Sequence, residues 1–372
     1  MFEQCYTLPT AKGTIWGQHT RIDLLPLANL EEAVTYAERL VKPSQRATIG
    51  FLLGLKVLDE AATGDLRFRL PEDALDDIEA WLMRLAQHFE LEQEWRALSL
   101  PTKQELQKIV MAWQPYAFLA EVQAKGIFAL LATLLHAEAG DRISPKSKLA
   151  HLIQRLLGDD IDTAVCVASV ETTGLLDIPF LSSRRAEIVG DCQPLVKRLG
   201  QCLFKEFECS HTEFLRFHQK DSCLRLVCLP PFTRIKDEDL LAEFDLANRG
   251  QGRRSLATEA EILWLEQSHN LLVESGLLVI LLTEGFLSNA SARFAREWTQ
   301  AHFKIDTILS LPSALFQPGA AIKTSLVCLR KMVRPPKQYR IFMAELDEAD
   351  LENPAKIVEA YWQARQEEVV PV

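Results

Sequence analysis

The segment Asn248-Arg-Gly-Gln-Gly-Arg-Arg254 combines three arginines with two glycines. A guanidinium group binds phosphate through paired hydrogen bonds, and glycine lets a loop bend close to its ligand. Arg249, Arg253 and Arg254 are therefore candidate contacts to the phosphates of a nucleic acid. The same composition also suits an ordinary solvated loop, so this segment by itself does not decide between binding and exposure.

The cysteines and histidines do not form a pattern typical of a metal site. The chain has eight cysteines, and none of them forms a Cys-x-x-Cys pair. His211 and His218 lie near Cys209, but their spacing fits no standard zinc site, and we predict no bound metal. Several cysteines stand in apolar runs, as small buried side chains do in proteins of the reducing cytoplasm.

The composition indicates a globular protein of about two domains. Apolar residues make up 48% of the 372 residues, and no apolar run is long enough to cross a membrane. The amino terminus does not resemble a secretion signal, so we expect a cytoplasmic protein. The net charge of −10 argues against strong DNA binding by this chain alone, although a local basic cleft would still allow contact.

Residues 1–135 show helical periodicity without strand alternation. Asn29 with Glu32, and Thr102 with Glu105, have the capping-box spacing that marks the start of a helix. The predicted helices are 33–41, 47–58, 75–100, 106–113 and 117–136. We therefore predict an all-helical domain over residues 1–135.

The pattern changes after Gly140, where short apolar runs alternate with helical stretches. The runs, typical of buried parallel strands, are 161–169, 186–189, 224–229, 277–282, 305–311 and 324–329. The helical stretches are 193–207 and 259–274, and Gly276 is expected to end the second. This alternation predicts an α/β domain with a doubly wound, mostly parallel sheet over residues 136–335. A strand at 339–344 and a final helix at 354–366 form the predicted extension 336–372.

Three stretches, in order, resemble the N6-adenine DNA methyltransferases, the family that includes the modification subunits of type I restriction systems. They are Gly140-Asp-Arg-Ile-Ser-Pro145 with the helix that follows it, Leu226-Val-Cys-Leu-Pro-Pro-Phe232, and residues 263–331 with Ile308-Leu-Ser-Leu-Pro-Ser-Ala-Leu-Phe316 and Ile322-Lys-Thr-Ser325. The resemblance implies a Rossmann-like methyltransferase fold. It also implies S-adenosylmethionine at the carboxyl ends of the strands and a separate subunit that recognises the target DNA.

The cofactor motifs of that family are altered here. The family follows its first strand with Asp-Pro-x-x-Gly-x-Gly-Gly, whereas Ser169, Val170, Glu171 and Thr172 occupy this region, and Gly174 is its only glycine. A β-branched residue in a left-handed turn is strained by roughly 1–2 kcal/mol. The acid that would hold the ribose, Asp191, stands one place early. Asp191 could still serve, or it could be a solvated residue at the start of a helix.

The catalytic motif is altered as well. The family has Asn-Pro-Pro-Phe or Asn-Pro-Pro-Tyr, whose Asn accepts hydrogen bonds from the amino group of adenine. Here the motif is Leu229, Pro230, Pro231 and Phe232. Leucine has no acceptor, while the prolines could keep a rigid turn and Phe232 could still stack on a flipped base. The motif could also simply end a strand and pack a loop.

These changes favour a catalytically degenerate protein that acts as a binding or scaffolding subunit of a nucleic-acid-related complex, such as a defence or modification system. We expect a protein partner, DNA as a second candidate partner, no membrane and no cofactor. The first alternative is an active, S-adenosylmethionine-dependent N6-adenine DNA methyltransferase with an atypical Leu-Pro-Pro-Phe motif. The second is a protein-interaction module without DNA affinity, even at low salt.

Overall fold

The computed structural model describes residues 14–17, 20–23, 29–63, 77–135, 147–158, 162–169, 173–178, 185–190, 192–210, 212–249, 257–316 and 322–368. The chain divides into two compact units, Met1–Val122 and Gln123–Val372. The domain boundaries expected at 135–136 and 335–336 stay predictions. No helix in the described ranges is long and apolar enough to span a membrane.

The first unit is built from helices, preceded by a small hairpin. The hairpin strands are β1 (Thr14–Gly17) and β2 (Thr20–Asp23), and the helices are α1 (Leu30–Leu40), α2 (Arg46–Thr63), α3 (Ile78–His88), α4 (Glu92–Ala97) and α5 (Lys103–Trp113). The expectation that this region holds no strand was wrong for the hairpin, because four-residue strands are too short to show alternation. The Asn29 cap and the Thr102–Glu105 capping box are confirmed.

Two helices that the sequence analysis predicted as continuous are each broken in two. The stretch 75–100 divides into α3 and α4, and Glu90 between them has a φ of 59°. The stretch 117–136 divides into α6 (Leu119–Lys125) and α7 (Phe128–Leu135) at Gly126, whose φ is 80°.

A buried carboxylate fixes the second break. Asp177 accepts hydrogen bonds from the backbone N–H groups of Ile127, Phe128 and Ala129, at 2.8, 3.0 and 2.6 Å. These N–H groups have no partner within the helix, and an acid at the amino end of a helix satisfies them. Burial raises the pKa of Asp177, although the three hydrogen bonds act in the opposite direction. Asp177 thus ties α7 to the segment that follows the first strand of the sheet.

Replacing Gly126 with Ala is expected to destabilise the second unit by roughly 2–4 kcal/mol. The change combines left-handed strain with displacement of the Asp177 carboxylate, which a β-carbon at residue 126 would overlap. Urea unfolding measures the loss. Gly158→Ala is the matched control, because Gly158 has a φ of 79° but its β-carbon would only touch Trp362 at 3.6 Å. Equal losses for both variants would contradict the role of Asp177.

The second unit is built on one eight-stranded sheet. Its strands are β3 (Val165–Ser169), β4 (Arg185–Val189), β5 (Glu206–Ser210), β6 (Cys223–Leu229), β9 (Leu272–Thr283), β10 (Phe303–Ser310), β11 (Thr324–Lys331) and β12 (Phe342–Glu345). A separate two-stranded ribbon comprises β7 (Arg234–Ile235) and β8 (Thr258–Glu259).

The order across the sheet is β12-β10-β11-β9-β6-β3-β4-β5. Only β11 runs antiparallel to its neighbours, β9 and β10, and all other pairs are parallel. The doubly wound, mostly parallel sheet is therefore confirmed. Apolar side chains fill both of its faces, as a sheet covered on both sides requires.

Helices connect the strands and cover the two faces. They are α8 (Ser147–Leu157), α9 (Pro194–Leu203), α10 (Glu238–Ala242), α11 (Asp245–Arg249), α12 (Ala260–Leu271), α13 (Glu284–Ser288), α14 (Arg293–His302), α15 (Glu348–Glu352) and α16 (Ala355–Glu368). Three predictions were wrong. Residues 206–207 begin strand β5 instead of ending a helix, and residues 272–274 begin β9 instead of ending α12. Gly276 accordingly lies inside β9 instead of capping α12.

Candidate functional site

The strand order reverses direction between β3 and β6. From β3 the chain first builds outward through β4 and β5, and it then returns to place β6 on the other side of β3. In open α/β sheets the ligand crevice lies outside the carboxyl ends of the strands at such a point. Ser169 and Leu229 are paired at the last position of β3 and β6. The structure thus brings one predicted cofactor residue and the first residue of the predicted catalytic motif side by side.

Leu229 contributes its side chain to the core. It is 2% exposed and belongs to the apolar cluster on the sheet face that α8 and α16 cover. Pro230 is also buried, and Pro231 and Phe232 are half-buried. Phe232 packs against the same cluster. The motif therefore offers neither an acceptor side chain nor a fully exposed ring at the end of β6.

The turn after β3 is short. β3 continues through Ser169, and a 3₁₀ helix begins at Thr173 and contains Gly174. Val170, Glu171 and Thr172, the three residues in between, lie outside the described residues. Ser169 and Thr173 flank the turn with buried side chains, 7% and 2% exposed. Three residues, none of them glycine, stand where the resemblance implies a longer glycine-rich turn.

The glycine that the resemblance implies at the end of the second strand is present after β4. Gly190 has a φ of 136°, a conformation that L side chains rarely adopt. Its N–H donates a hydrogen bond to the carbonyl of Ser210 at the end of β5, at 3.0 Å. Asp191, the candidate for the ribose, lies outside the described residues.

A two-stranded ribbon joins the two ends of the chain segment that follows the motif. β7 pairs with β8, and the N–H of Ala260 donates to the carbonyl of Thr233 at 2.9 Å. Between these strands run α10 and α11, and the carboxylate of Glu266 accepts from the first two N–H groups of α11, both at 2.8 Å. Arg249 ends α11, and Arg253 and Arg254 lie outside the described residues.

One buried acid near the crevice edge was not predicted. Glu261 accepts hydrogen bonds from the N–H and the hydroxyl of Thr283, both at 2.8 Å, where β9 ends beside β6. Burial raises the pKa of Glu261, and the two hydrogen bonds from Thr283 lower it. In the sequence Glu261 is an ordinary acid in the first turn of a helix, so no pattern marks it. The pair fixes the end of β9 and the start of α13.

Similarity to known proteins is found in solved structures. No family model and no curated protein matches the chain. A protein from Listeria monocytogenes, named as a class I S-adenosylmethionine-dependent methyltransferase, superposes with a TM-score of 0.54 over 85% of this chain and 98% of its own, at 16% identity. A chain from a structure of the type I restriction-modification system superposes with a TM-score of 0.59 over 91% of this chain and 80% of its own, also at 16% identity.

This chain has a methyltransferase fold. The type IIG restriction endonuclease BpuSI shares the fold, with a TM-score of 0.52 and 14% identity over 88% of this chain and 42% of its own. At these identities the similarity establishes the fold alone. It agrees with the resemblance to N6-adenine methyltransferases that the motifs indicate. Within the described part of the methyltransferase fold, no group of three or more potential ligands could hold a metal.

Proposed function

We propose that this protein is a catalytically inactive methyltransferase-like subunit that binds or scaffolds within a nucleic-acid-related complex. The observation that carries the proposal is the burial of Leu229 at the carboxyl end of β6. In an active N6-adenine enzyme this position presents a polar acceptor to the target amino group. A leucine that packs into the core presents none, and an amino group buried against it would remain unsatisfied at a cost of about 1–3 kcal/mol.

The short turn after β3 supports the same proposal. Ser169 and Thr173 fill the flanks of the turn with buried side chains, and a β-branched or charged residue stands at each position between them. S-adenosylmethionine needs a close backbone approach at this place, which glycine permits and larger residues oppose. We therefore expect no cofactor.

An inactive protein of this kind would act by binding other macromolecules. A protein partner is favoured because one structure with this fold is a chain of a multi-component restriction-modification system. Arg249, Arg253 and Arg254 are proposed to contact DNA phosphates beside the crevice. Replacing Arg253 and Arg254 would then weaken binding equally for all DNA sequences.

Isothermal titration with S-adenosylmethionine tests the proposal. We expect no heat of binding at high protein concentration, while a cooperative thermal melt shows that the preparation is folded. An active N6-adenine methyltransferase titrated under the same conditions is the positive control. Clear one-site binding would overturn the assignment as an inactive subunit.

The second candidate function is an active methyltransferase with an atypical motif. Gly190 favours it, because the glycine that the family has at the end of its second strand is present here with a positive φ. Such an enzyme would use Phe232 as the stacking platform, backbone carbonyls near Leu229 as acceptors and Asp191 for the ribose. Transfer of a labelled methyl group to adenine in duplex DNA would support this function, and its absence together with a silent titration would exclude it.

A further inference from the structure

Positive charge is concentrated at the edge of the sheet opposite the crevice. β10 starts and β11 ends at this amino-terminal edge, where Phe303 pairs with Lys331. The segment that leaves β11, Arg330-Lys-Met-Val-Arg-Pro-Pro-Lys-Gln-Tyr-Arg340, has five cations and no acid. In a chain whose net charge is −10, this is a strong local excess of positive charge.

A cleft of about 760 Å³ opens among these residues. The residues that line it are Lys304, Met332, Pro336, Gln338, Tyr339, Arg340 and Arg365. None of the described residues in this lining is acidic. Three cations, Lys304, Arg340 and Arg365, therefore share this concave surface with the apolar side chains of Met332 and Pro336.

A buried acid contacts two of the cleft cations and the neighbouring Arg330. The carboxylate of Asp306, 1% exposed, lies 3.5 Å from the ammonium of Lys304, 3.2 Å from the guanidinium of Arg330 and 3.9 Å from that of Arg365. One negative charge faces three positive charges, so the cluster stays positive. Because Asp306 restrains the side chains, a ligand loses less entropy when it immobilises them.

Some cations of the segment have structural roles and others face solvent. The Lys331 ammonium binds the Asp221 carboxylate at 2.8 Å and the carbonyls of His269 and Leu272. One acid also contacts the segment, since Glu274 accepts from the N–H of Val333 at 2.9 Å.

Arg334, Lys337 and Arg340 are exposed. They follow one another at intervals of three residues, and Arg340 also lines the cleft.

The geometry points to a binding surface for the phosphate groups of duplex DNA at this edge. Arginine forks match phosphate oxygens, and a row of cations suits a polyanion better than a single small anion. The choice of DNA over an acidic protein segment rests on the proposed function. The part of β9 that pairs with β11, Leu277 to Thr283, spans roughly 20 Å between the two edges at the usual rise per residue. The surface is therefore separate from the crevice at Leu229.

Fluorescence anisotropy with a short labelled duplex, between about 50 and 200 mM salt, tests the inference. The test variant is Arg334→Gln/Lys337→Gln/Arg340→Gln. The matched control is Lys103→Gln/Lys108→Gln/Lys205→Gln, which removes the same charge from other exposed lysines. We expect the test variant to bind the duplex at least about tenfold more weakly than the wild type. The slope of log affinity against log salt concentration should be smaller by about 0.9 for each phosphate that the variant no longer neutralises. The control should keep the wild-type slope.

Three results would overturn the inference. They are absence of DNA binding by the wild-type protein at low salt, equal losses of affinity in the test and control variants, and binding of a poly-glutamate peptide more tightly than a duplex of the same charge, with loss of the peptide in the test variant. The last result would assign the edge to an acidic protein segment. The outcome is separable from the proposed function, because binding of S-adenosylmethionine concerns the crevice and is measured without DNA.

Discussion

Replacing Leu229 with Asn is expected to cost about 2–4 kcal/mol of folding free energy and to restore no methyl transfer. Leu229 is 2% exposed and packs in the core, so the substitution removes apolar contacts and buries an amide in their place. Although the substitution recreates the Asn-Pro-Pro-Phe sequence, the turn after β3 still lacks the glycines for a cofactor. Urea unfolding and a labelled methyl-transfer assay measure the two parts of the prediction.

Leu224→Asn is the control for this experiment. Leu224 lies on the same strand but is 44% exposed, so its replacement should change stability by about 0.5 kcal/mol or less. A Leu229→Asn protein that is as stable as the control and transfers methyl groups would contradict both the burial argument and the inactive assignment. The active alternative predicts this gain of activity.

Replacing Lys56 with Met is expected to destabilise the first unit by about 3–5 kcal/mol. The ammonium of Lys56 lies 2.6 Å from the carboxylate of Glu60, and both side chains are fully buried. Glu60 also accepts from the N–H groups of Phe118 and Leu119, at 3.1 and 2.7 Å, where α6 begins. Without the lysine, the low-dielectric interior would retain an uncompensated negative charge. Urea unfolding measures the loss, and faster hydrogen exchange in α6 would locate it.

A surface pair with the same spacing provides the control. Arg96 and Glu92 are also four residues apart and 2.6 Å from each other, but their side chains are 64% and 39% exposed. Arg96→Met should cost about 1 kcal/mol or less, because solvent screens the pair. Adding Glu60→Gln to Lys56→Met removes the buried charge and should recover part of the loss. If the two single variants lose the same stability, burial does not govern the energy of the Lys56–Glu60 pair.

The central strands could be predicted from the sequence, whereas an edge strand and a helix break could not. β3, β6 and β9 are buried on both faces, so they consist of apolar runs that stand out in the sequence. β5 lies at the edge, and Glu206 and Glu208 alternate along it, which allowed it to be interpreted as the end of a helix. The break at Gly126 depends on Asp177, about fifty residues away, and no local pattern contains that information.

The candidate site shows a similar division. Ser169 and Leu229, assigned from the sequence to the cofactor and catalytic motifs, are paired at the ends of β3 and β6, while their roles stay predictions. The direction of the side chains could not be predicted, because burial of Leu229 depends on helices that cover the sheet from distant parts of the chain. The basic edge was hidden for another reason. Summing charges over the whole chain gave −10, while folding places Lys304 and Arg365 beside the cations of residues 330–340.

The pairing of β12 with β10 has a consequence for shortened forms of the protein. β12 runs parallel to β10 from the Thr307–Phe342 pair to the Ser310–Glu345 pair, and it covers the backbone hydrogen-bonding groups of β10. A chain that stopped at residue 335 would leave these N–H and C=O groups open to any extended peptide. Loss of β12 would make the eight-residue β10 the edge strand in place of the four-residue β12, and a truncation at residue 335 is therefore expected to favour aggregation.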